Sequence, residues 1–171
     1  MKRLILINGT MGSGKTATCR ELLKMLDRCV FLDGDWCWMM DPFVVTEETK
    51  TMVQDNIAHL LRNFLNCSEY ENVLFCWVMQ DEEIIDDLLS ALEGSEFALY
   101  KFTLMVSVQA LTERIRKDVE NHVRTPDVLE RSLHRLPLYE KMHTVKIDVS
   151  DITARQAAGQ IADAVQNGNG Q

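Results

Sequence analysis

The chain has 171 residues, of which 46% are hydrophobic and 26% are charged, and its formal net charge is −8. This composition is typical of one soluble globular domain with a sizeable core. The negative charge gives a nucleic-acid partner no electrostatic support, and no apolar run is long enough to span a membrane. Five cysteines without a C-x-x-C pair indicate neither a disulfide framework nor a zinc site, and they favour a reducing, cytoplasmic setting.

The first predicted strand, residues 3–7, leads into a segment that fits the P-loop pattern G-x-x-x-x-G-K-[ST] and then into a predicted helix over residues 15–26. In such a loop, glycines allow backbone N–H groups and the helix N-terminus to point at a phosphate. Lys15 is expected to contact the terminal phosphates, and the Thr16 hydroxyl to ligate Mg²⁺. The predicted nucleotide-binding residues are Gly9, Thr10, Met11, Gly12, Ser13, Gly14, Lys15, Thr16 and Ala17.

A second pattern overlaps this loop. Residues 12–17 also fit the dinucleotide pattern G-x-G-x-x-G/A, and Asp33 and Asp35 follow about 20 residues later, as that pattern requires. The P-loop interpretation is preferred because Lys15, Thr16 and the spacing of Gly9 satisfy it fully, whereas a dinucleotide site needs none of these three residues.

Beyond the first helix, apolar runs alternate with amphipathic segments. Helix signals include Thr46 as an N-cap, with Thr49 where a capping box has Glu or Gln, and Pro137 as a possible interruption. The alternation predicts an α/β fold with a parallel sheet, one domain over residues 1–166, and a disordered polar tail over residues 167–171. The further strands are predicted at 29–32, 73–79, 97–106 and 145–148, and the further helices at 46–65, 81–92, 109–120, 126–142 and 153–165.

The second strand ends in Asp33-Gly34-Asp35. Ligands of parallel sheets bind at the carboxyl ends of the strands, and two carboxylates beside a triphosphate site suit a kinase. Asp35 is predicted to orient and deprotonate the acceptor hydroxyl, and Asp33 to hold Mg²⁺ through water. The alternative is a solvated turn, since Asp-Gly is a common turn dipeptide.

Aromatic residues and methionines follow this acidic pair, and Trp77 and Gln80 stand near the end of the third strand. They fit an apolar small-molecule pocket with a few polar groups, or equally a part of the core. The members of the first group are Trp36, Trp38, Met39, Met40 and Phe43.

Basic residues are concentrated after the fourth strand, with Arg114, Arg116 and Lys117 on one helix and Arg124 in the following break. Arg131 and Arg135 lie four residues apart on one face of the next helix. A mobile lid over about residues 118–130 could close over ATP, with at least two arginines at the phosphates. The alternative is a solvated face with Glu113, Asp118, Glu120 and Glu130 as partners.

The sequence resembles the small P-loop kinases of the shikimate and gluconate kinase type. Phe31-Leu32-Asp33-Gly34-Asp35 is similar to the segment after the second strand of gluconate kinases, and Asp-Gly-Asp also occurs in adenylylsulfate kinases. Chloramphenicol phosphotransferases have a comparable catalytic Asp, which Asp35 matches. The segments at residues 7–16 and 102–107 resemble those of the tunicamycin-resistance type of ATP-binding proteins.

This resemblance implies a three-layer P-loop NTPase fold with a five-stranded parallel sheet in the order 2-3-1-4-5. It also implies that Arg114 lies against the adenine, that the loop containing Ser150 flanks the adenine, and that Arg124 and Arg131 are lid arginines. Many relatives carry a second arginine where this chain has Asp118.

The predicted function is phosphoryl transfer from ATP, with Mg²⁺, to a hydroxyl of a small molecule by a monomer or homodimer. The predicted catalytic residues are Lys15, Asp35, Arg124 and Arg131, and the predicted metal ligands are Thr16 and Asp33. A nucleoside or nucleotide kinase is the second hypothesis, but it requires cationic or amide groups in the acceptor pocket, and residues 36–43 supply none. The third hypothesis is a non-catalytic ATP-binding resistance or switch protein, and a GTPase is disfavoured because no N-K-x-D motif occurs.

Overall fold

A parallel five-stranded sheet forms the centre of the computed structural model, which describes residues 1–168. The strand order is β2-β3-β1-β4-β5, and it confirms the order that the family resemblance implied. The strands are β1 Lys2–Asn8, β2 Cys29–Asp33, β3 Asn72–Cys76, β4 Phe97–Met105 and β5 Val145–Asp148.

Helices cover both faces of the sheet, and the continuous apolar run of β1 explains why. Ile5 and Ile7 belong to one buried cluster, and Leu4 and Leu6 belong to another on the opposite face, because successive strand side chains point in opposite directions. The α helices are α1 Lys15–Met25, α2 Glu47–Asn66, α3 Glu82–Ser90, α4 Val108–Glu120, α5 Asp127–Glu140 and α6 Ala154–Gln166. Within residues 1–168, none of these helices is both long and apolar enough to cross a membrane.

The strand register brings three chain segments to one edge of the sheet. Cys76 at the end of β3 pairs with Ile7 of β1 on one side and with Asp33 of β2 on the other. The residues that follow these positions therefore start from neighbouring points, and the P-loop, the Asp33-Gly34-Asp35 segment and the residues from Trp77 onward meet there.

Strand β3 ends at Cys76, so the prediction that it continues to Met79 is wrong. Strand β2 ends at Asp33, directly beside Cys76, and β1 ends at Asn8, one residue after the partner of Cys76, so the chain beyond Cys76 loses its neighbouring strands. Trp77 donates its backbone N–H to the Ile7 carbonyl at 3.4 Å, and the Met79 carbonyl then accepts from the side-chain amide of Asn8 at 3.1 Å. The apolar run thus ends in an irregular segment that lies over the P-loop end of β1.

Smaller features add to the sequence prediction or differ from it. Gly34–Trp38 forms a short 3₁₀ helix directly after β2. Thr49 completes the capping box of α2, since its hydroxyl accepts from the Thr46 backbone N–H at 2.8 Å. Helix α5 continues through Pro137 without interruption. Of the tail predicted at 167–171, residues 167 and 168 form a turn after α6, and residues 169–171 lie outside the described part of the chain.

Candidate active site

The P-loop connects β1 to α1 and packs closely against α4. Gly12 adopts φ +83°, and a Cβ at this position would lie 2.8 Å from Cγ1 of Ile115 on α4. The loop can therefore pass this close to α4 only with glycine at position 12. The Ser13 backbone N–H donates to the Thr10 carbonyl at 3.2 Å, which tightens the turn before α1 begins at Lys15.

The Lys15 ammonium lies buried inside this loop. It donates to the carbonyl oxygens of Gly9 at 2.8 Å and Thr10 at 3.0 Å. Burial lowers the pKa of Lys15, whereas the nearby carboxylates of Asp35 and Asp33 act in the opposite direction. The same ammonium is thus electrostatically coupled to both acidic residues that the sequence singled out.

Asp33 joins the P-loop helix to the segment after β2. One carboxylate oxygen accepts from the Thr16 hydroxyl at 2.6 Å, and the other accepts from the Asp35 backbone N–H at 3.0 Å. The structure therefore places the two predicted metal ligands, Thr16 and Asp33, in direct contact. A hydroxyl and a carboxylate beside a phosphate loop form the oxygen donor set that Mg²⁺ accepts, so these residues fit the ion.

Gly34 fixes the position of this acidic segment against the end of β3. A Cβ on Gly34 would lie 2.5 Å from Cγ and 2.6 Å from Cδ1 of the Trp77 ring. The backbone between the two carboxylates therefore packs directly on the indole, and only glycine permits this approach.

Asp35 reaches solvent, yet the surrounding protein removes part of its hydration. Partial desolvation raises the pKa of the Asp35 carboxyl, and the negative charge of Asp33 adds to the increase. Lys15, Arg124 and the indole N–H of Trp77 favour the ionised form and oppose it. A carboxyl with a raised pKa beside a buried lysine is the arrangement expected of a general base.

A cavity of about 220 Å³, here called the phosphate-side cavity, opens between the P-loop and α4. It brings together three of the four predicted catalytic residues and one predicted metal ligand. Its lining residues are Met11, Gly12, Gly14, Lys15, Thr16, Ala17, Asp35, Val78, Asp118 and Arg124.

The predicted lid runs from the last turn of α4 to the first turn of α5, and its two predicted arginines differ in position. The Nε of Arg124 lies 2.9 Å from a carboxylate oxygen of Asp118, and both side chains line the phosphate-side cavity. Arg131 instead forms an exposed ion pair with Asp127 at 2.7 Å and does not line this cavity. The structure therefore brings Arg124 to the other candidate residues and leaves Arg131 on the surface of α5.

A second cavity of about 260 Å³ lies beside Ser13, Gly14 and Arg114. The Arg114 guanidinium donates to the carbonyls of Val149 and Ser150 and, at 3.4 Å, to that of Ser13. Ser150 is held in turn by Asp148, whose carboxylate accepts from the Ser150 hydroxyl at 2.6 Å. Arg114 and Ser150 thus meet next to the P-loop, and their contact with adenine stays a prediction.

A third cavity of about 300 Å³, here called the tryptophan-lined cavity, lies next to the phosphate-side cavity, since Val78 lines both. Trp38, Trp77 and Gln80 line it, whereas Trp36 lies outside, edge-on against Phe31, with 46% of its surface exposed. Two of its other polar residues, Lys50 and Gln54 of α2, were not singled out from the sequence, and the third is Arg135 of α5, which was grouped there with the possible phosphate-binding arginines. The complete lining is Trp38, Val45, Lys50, Gln54, Trp77, Val78, Gln80, Ile84 and Arg135.

Comparison with known proteins agrees with this architecture. A family described as an AAA domain matches residues 5–134. No curated protein sequence matches the chain.

Several solved structures are similar to the chain. The tunicamycin resistance protein of Deinococcus radiodurans is 20% identical with a TM-score of 0.70, over 99% of this chain and 97% of that chain. A gluconokinase from Sinorhizobium meliloti 1021 is 19% identical with a TM-score of 0.62, over 96% of this chain and 95% of that chain. The shikimate kinase of Acinetobacter baumannii, solved with shikimate, is 20% identical with a TM-score of 0.64, over 98% of this chain and 94% of that chain. At these identities the likeness establishes the fold alone, and together with the family match it confirms the resemblance to small P-loop kinases.

Proposed function

Because the chain belongs to the AAA-domain family of P-loop proteins, we propose that it is a kinase that transfers a phosphoryl group from ATP to a hydroxyl of a small molecule. The observation that carries the proposal is the position of Asp35. Its carboxylate shares one cavity with Lys15 and Arg124, and Trp77, which packs against the adjacent Gly34, lines the next cavity. A phosphate donor and a hydroxyl acceptor could therefore meet at Asp35.

The residues around the P-loop fit ATP and Mg²⁺. When bound, these groups supply the transferable phosphoryl group and neutralise part of its charge. Lys15 and the loop N–H groups would hold the terminal phosphates, and Arg114 and Ser150 would flank the adenine. Thr16 would ligate Mg²⁺ directly, with Asp33 holding it through water.

The chain's own residues then have distinct roles at the acceptor. Asp35 accepts the proton of the acceptor hydroxyl and holds that oxygen in line for attack. Asp33 orients Asp35 through the backbone hydrogen bond between them. Arg124 and Lys15 offset negative charge that develops during transfer, and Asp118 holds the Arg124 guanidinium in position.

The experiment that tests this proposal is a transfer screen with γ-labelled ATP and Mg²⁺ against sugars, nucleosides, nucleotides, hydroxy acids, amino alcohols and hydroxylated antibiotics. Lys15→Ala is the blank, and Lys24→Ala is its matched control, since Lys24 is exposed and paired with Glu21. A labelled product that Lys24→Ala retains and Lys15→Ala loses is the expected result. Tight ATP binding without a labelled product from any acceptor would instead support a non-catalytic ATP-binding protein.

A nucleoside or nucleotide kinase is a second candidate, and one observation favours it. The sequence argument against it was that residues 36–43 supply no cationic or amide group. Other parts of the chain supply such groups to the tryptophan-lined cavity, namely Lys50, Arg135, Gln54 and Gln80. The argument therefore no longer applies, and nucleotides belong in the acceptor screen.

The proposal also covers the cellular location, the oligomeric state and the partners of the protein. The five cysteine thiols are all free, which supports the reducing environment of a cytoplasm. The protein is proposed to be a monomer or homodimer. It is also proposed to bind neither nucleic acid nor membranes, because the net charge of −8 repels polyanions.

A further inference from the structure

A buried chain of polar side chains crosses the sheet beside the P-loop, and none of the roles proposed above involves it. Asn8, the last residue of β1, pairs in register with Thr103 of β4, and the two residues are 1% and 0% exposed. The Thr103 hydroxyl lies 2.5 Å from Oδ1 of Asn8 and 2.5 Å from the Thr144 hydroxyl. The Lys146 ammonium lies 2.7 Å from that Thr144 hydroxyl, and at the other end Nδ2 of Asn8 lies 3.1 Å from the Met79 carbonyl oxygen.

The two ends of this chain fix the direction of every hydrogen bond in it. A lysine ammonium can only donate, and a carbonyl oxygen can only accept. Lys146 therefore donates to Thr144, whose own hydrogen is left for Thr103. Thr103 in turn donates to Oδ1 of Asn8, so that Nδ2 faces the Met79 carbonyl. The orientation of the Asn8 amide thus depends on a hydroxyl of the neighbouring strand.

Met79 belongs to the irregular segment that follows β3, where ladder hydrogen bonds no longer hold the chain. The backbone link beside it, from the Trp77 N–H to the Ile7 carbonyl, is long at 3.4 Å. The Asn8 amide supplies a shorter restraint, and Asn8 directly precedes Gly9, the first glycine of the P-loop. A single buried side chain thus joins the base of the P-loop to the segment after β3.

The segment that Asn8 restrains also supports the candidate base. The Trp77 ring packs against Gly34, which directly precedes Asp35 in the chain. Val78 lines both the phosphate-side cavity and the tryptophan-lined cavity. A shift of this segment would therefore move Asp35 relative to Lys15, on which the terminal phosphates are proposed to bind.

We propose that Asn8 is a positioning residue for phosphoryl transfer, which holds the segment after β3 through the Met79 carbonyl and so aligns Asp35 with the P-loop. This inference rests on the proposed function, since it concerns the geometry of the same site. Asn8 acts on turnover rather than on ATP binding, because its side-chain amide points at Met79 and Thr103 and not at the loop. Misplacement of a reacting group by about 1 Å can lower a rate by about 10²-fold.

Variants of Thr103 test this link without changing the P-loop. Thr103→Val removes the hydroxyl at nearly constant volume, so the Asn8 amide loses the partner that orients it. The kcat should fall about 10- to 100-fold, while the KM for ATP stays within about threefold of the wild type. Thr103→Ser keeps the hydroxyl and should keep kcat within about threefold. Thr112→Val is the matched control, because the Thr112 hydroxyl donates to the Val108 carbonyl within α4 at 2.7 Å.

A second variant shows whether Thr103 acts through Asn8. Asn8→Ala removes the same link from its other end and should lower kcat with the same selectivity, so it also serves if Thr103→Val fails to fold. In the double variant Asn8→Ala/Thr103→Val, kcat should fall no further than in Asn8→Ala, because the amide that the hydroxyl orients is already absent. Losses that multiply in the double variant would overturn the inference.

The fluorescence of Trp77 separates this inference from the proposed function. The chain has three tryptophans, so Trp36→Phe/Trp38→Phe leaves Trp77 as the reporter. With a saturating non-hydrolysable ATP analogue, acrylamide quenching should increase on adding Thr103→Val, because the released segment exposes the indole, but not on adding Thr103→Ser or Thr112→Val.

The outcomes of these measurements are distinct. Greater quenching in Thr103→Val, with a wild type that phosphorylates no acceptor, would support the Asn8 link and contradict the kinase proposal. Unchanged quenching, or an active kinase whose kcat Thr103→Val leaves unaffected, would overturn the inference and leave the kinase proposal intact. A loss of ATP affinity comparable to the loss of kcat would also overturn the inference.

Discussion

The phosphate-side cavity and the tryptophan-lined cavity meet at Val78, but they are built in opposite ways. The first is formed mainly by one continuous stretch, residues 11–17, and its charged groups have partners: Lys15 contacts loop carbonyls and Arg124 pairs with Asp118. The second is assembled from the 3₁₀ helix, α2, the end of β3, α3 and α5, and it leaves Arg135 unpaired among the described residues. Local geometry thus shapes the proposed phosphate site, whereas tertiary packing shapes the proposed acceptor site.

The largest expected effect comes from removing the Lys15 ammonium from the phosphate-side cavity. Lys15→Ala removes the ammonium that offsets developing charge, and turnover should fall about 10³-fold with every acceptor. Lys15 lines the phosphate-side cavity, where the phosphate donor is proposed to bind, so turnover should fall by the same factor with every acceptor. Steady-state rates with two chemically different acceptors measure this, with Lys24→Ala as the control. A loss confined to one acceptor would contradict the division between the two cavities.

A smaller effect is expected at Gly34, which packs against the Trp77 ring and precedes Asp35 in the chain. Gly34→Ala places a Cβ 2.5 Å from the Trp77 ring, so the unfolding free energy should drop by about 1–3 kcal/mol and Asp35 should lose its alignment. Gly159→Ala is the matched control, because no atom would crowd a Cβ within helix α6 and alanine favours the helix by about 1 kcal/mol. Denaturant unfolding compares the two variants. Equal stability of Gly34→Ala and the wild type would show that the indole does not constrain this segment.

The pH profile of kcat/KM should show a still smaller effect, which depends on the ionisation of Asp35. Asp35 acts as a base only when ionised, so kcat/KM should fall as the pH drops through its pKa. Partial desolvation raises this pKa, which puts the fall at a higher pH than an ordinary aspartate would give. The Trp77 indole favours the ionised form, so Trp77→Phe should move the acidic limb to a still higher pH. Trp36→Phe, outside both cavities, should leave the limb in place, and an unmoved or lowered limb in Trp77→Phe would contradict the assignment.

The phosphate-side cavity could be predicted from the sequence because most of its residues lie close together in the chain. A P-loop is recognised by spacing within eight residues, and Asp33 and Asp35 follow directly from the end of a strand. The structure places Lys15, Thr16, Asp33 and Asp35 together, as the strand order requires.

The tryptophan-lined cavity could be predicted only in part, because its polar residues are far apart in the chain. Helical spacing puts Arg131 and Arg135 on one face of α5, but it does not reveal that Asp127 pairs with Arg131 or that Arg135 faces a cavity. Lys50 and Gln54 lie on α2, where the sequence indicated only an amphipathic helix. The early end of β3 depends in the same way on where β1 and β2 stop.

The central claim is that Asp35 is the base between the two cavities, and Asp35→Asn tests it most directly. ATP affinity and phosphoryl transfer are measured on the same preparations, with the acceptor that the wild type phosphorylates. ATP affinity should stay within about threefold, because Asp35 acts on the acceptor, while turnover should drop by about 10²- to 10⁴-fold, the range of general-base catalysis. Undiminished turnover, or a loss of ATP binding comparable to the loss of turnover, would contradict this account.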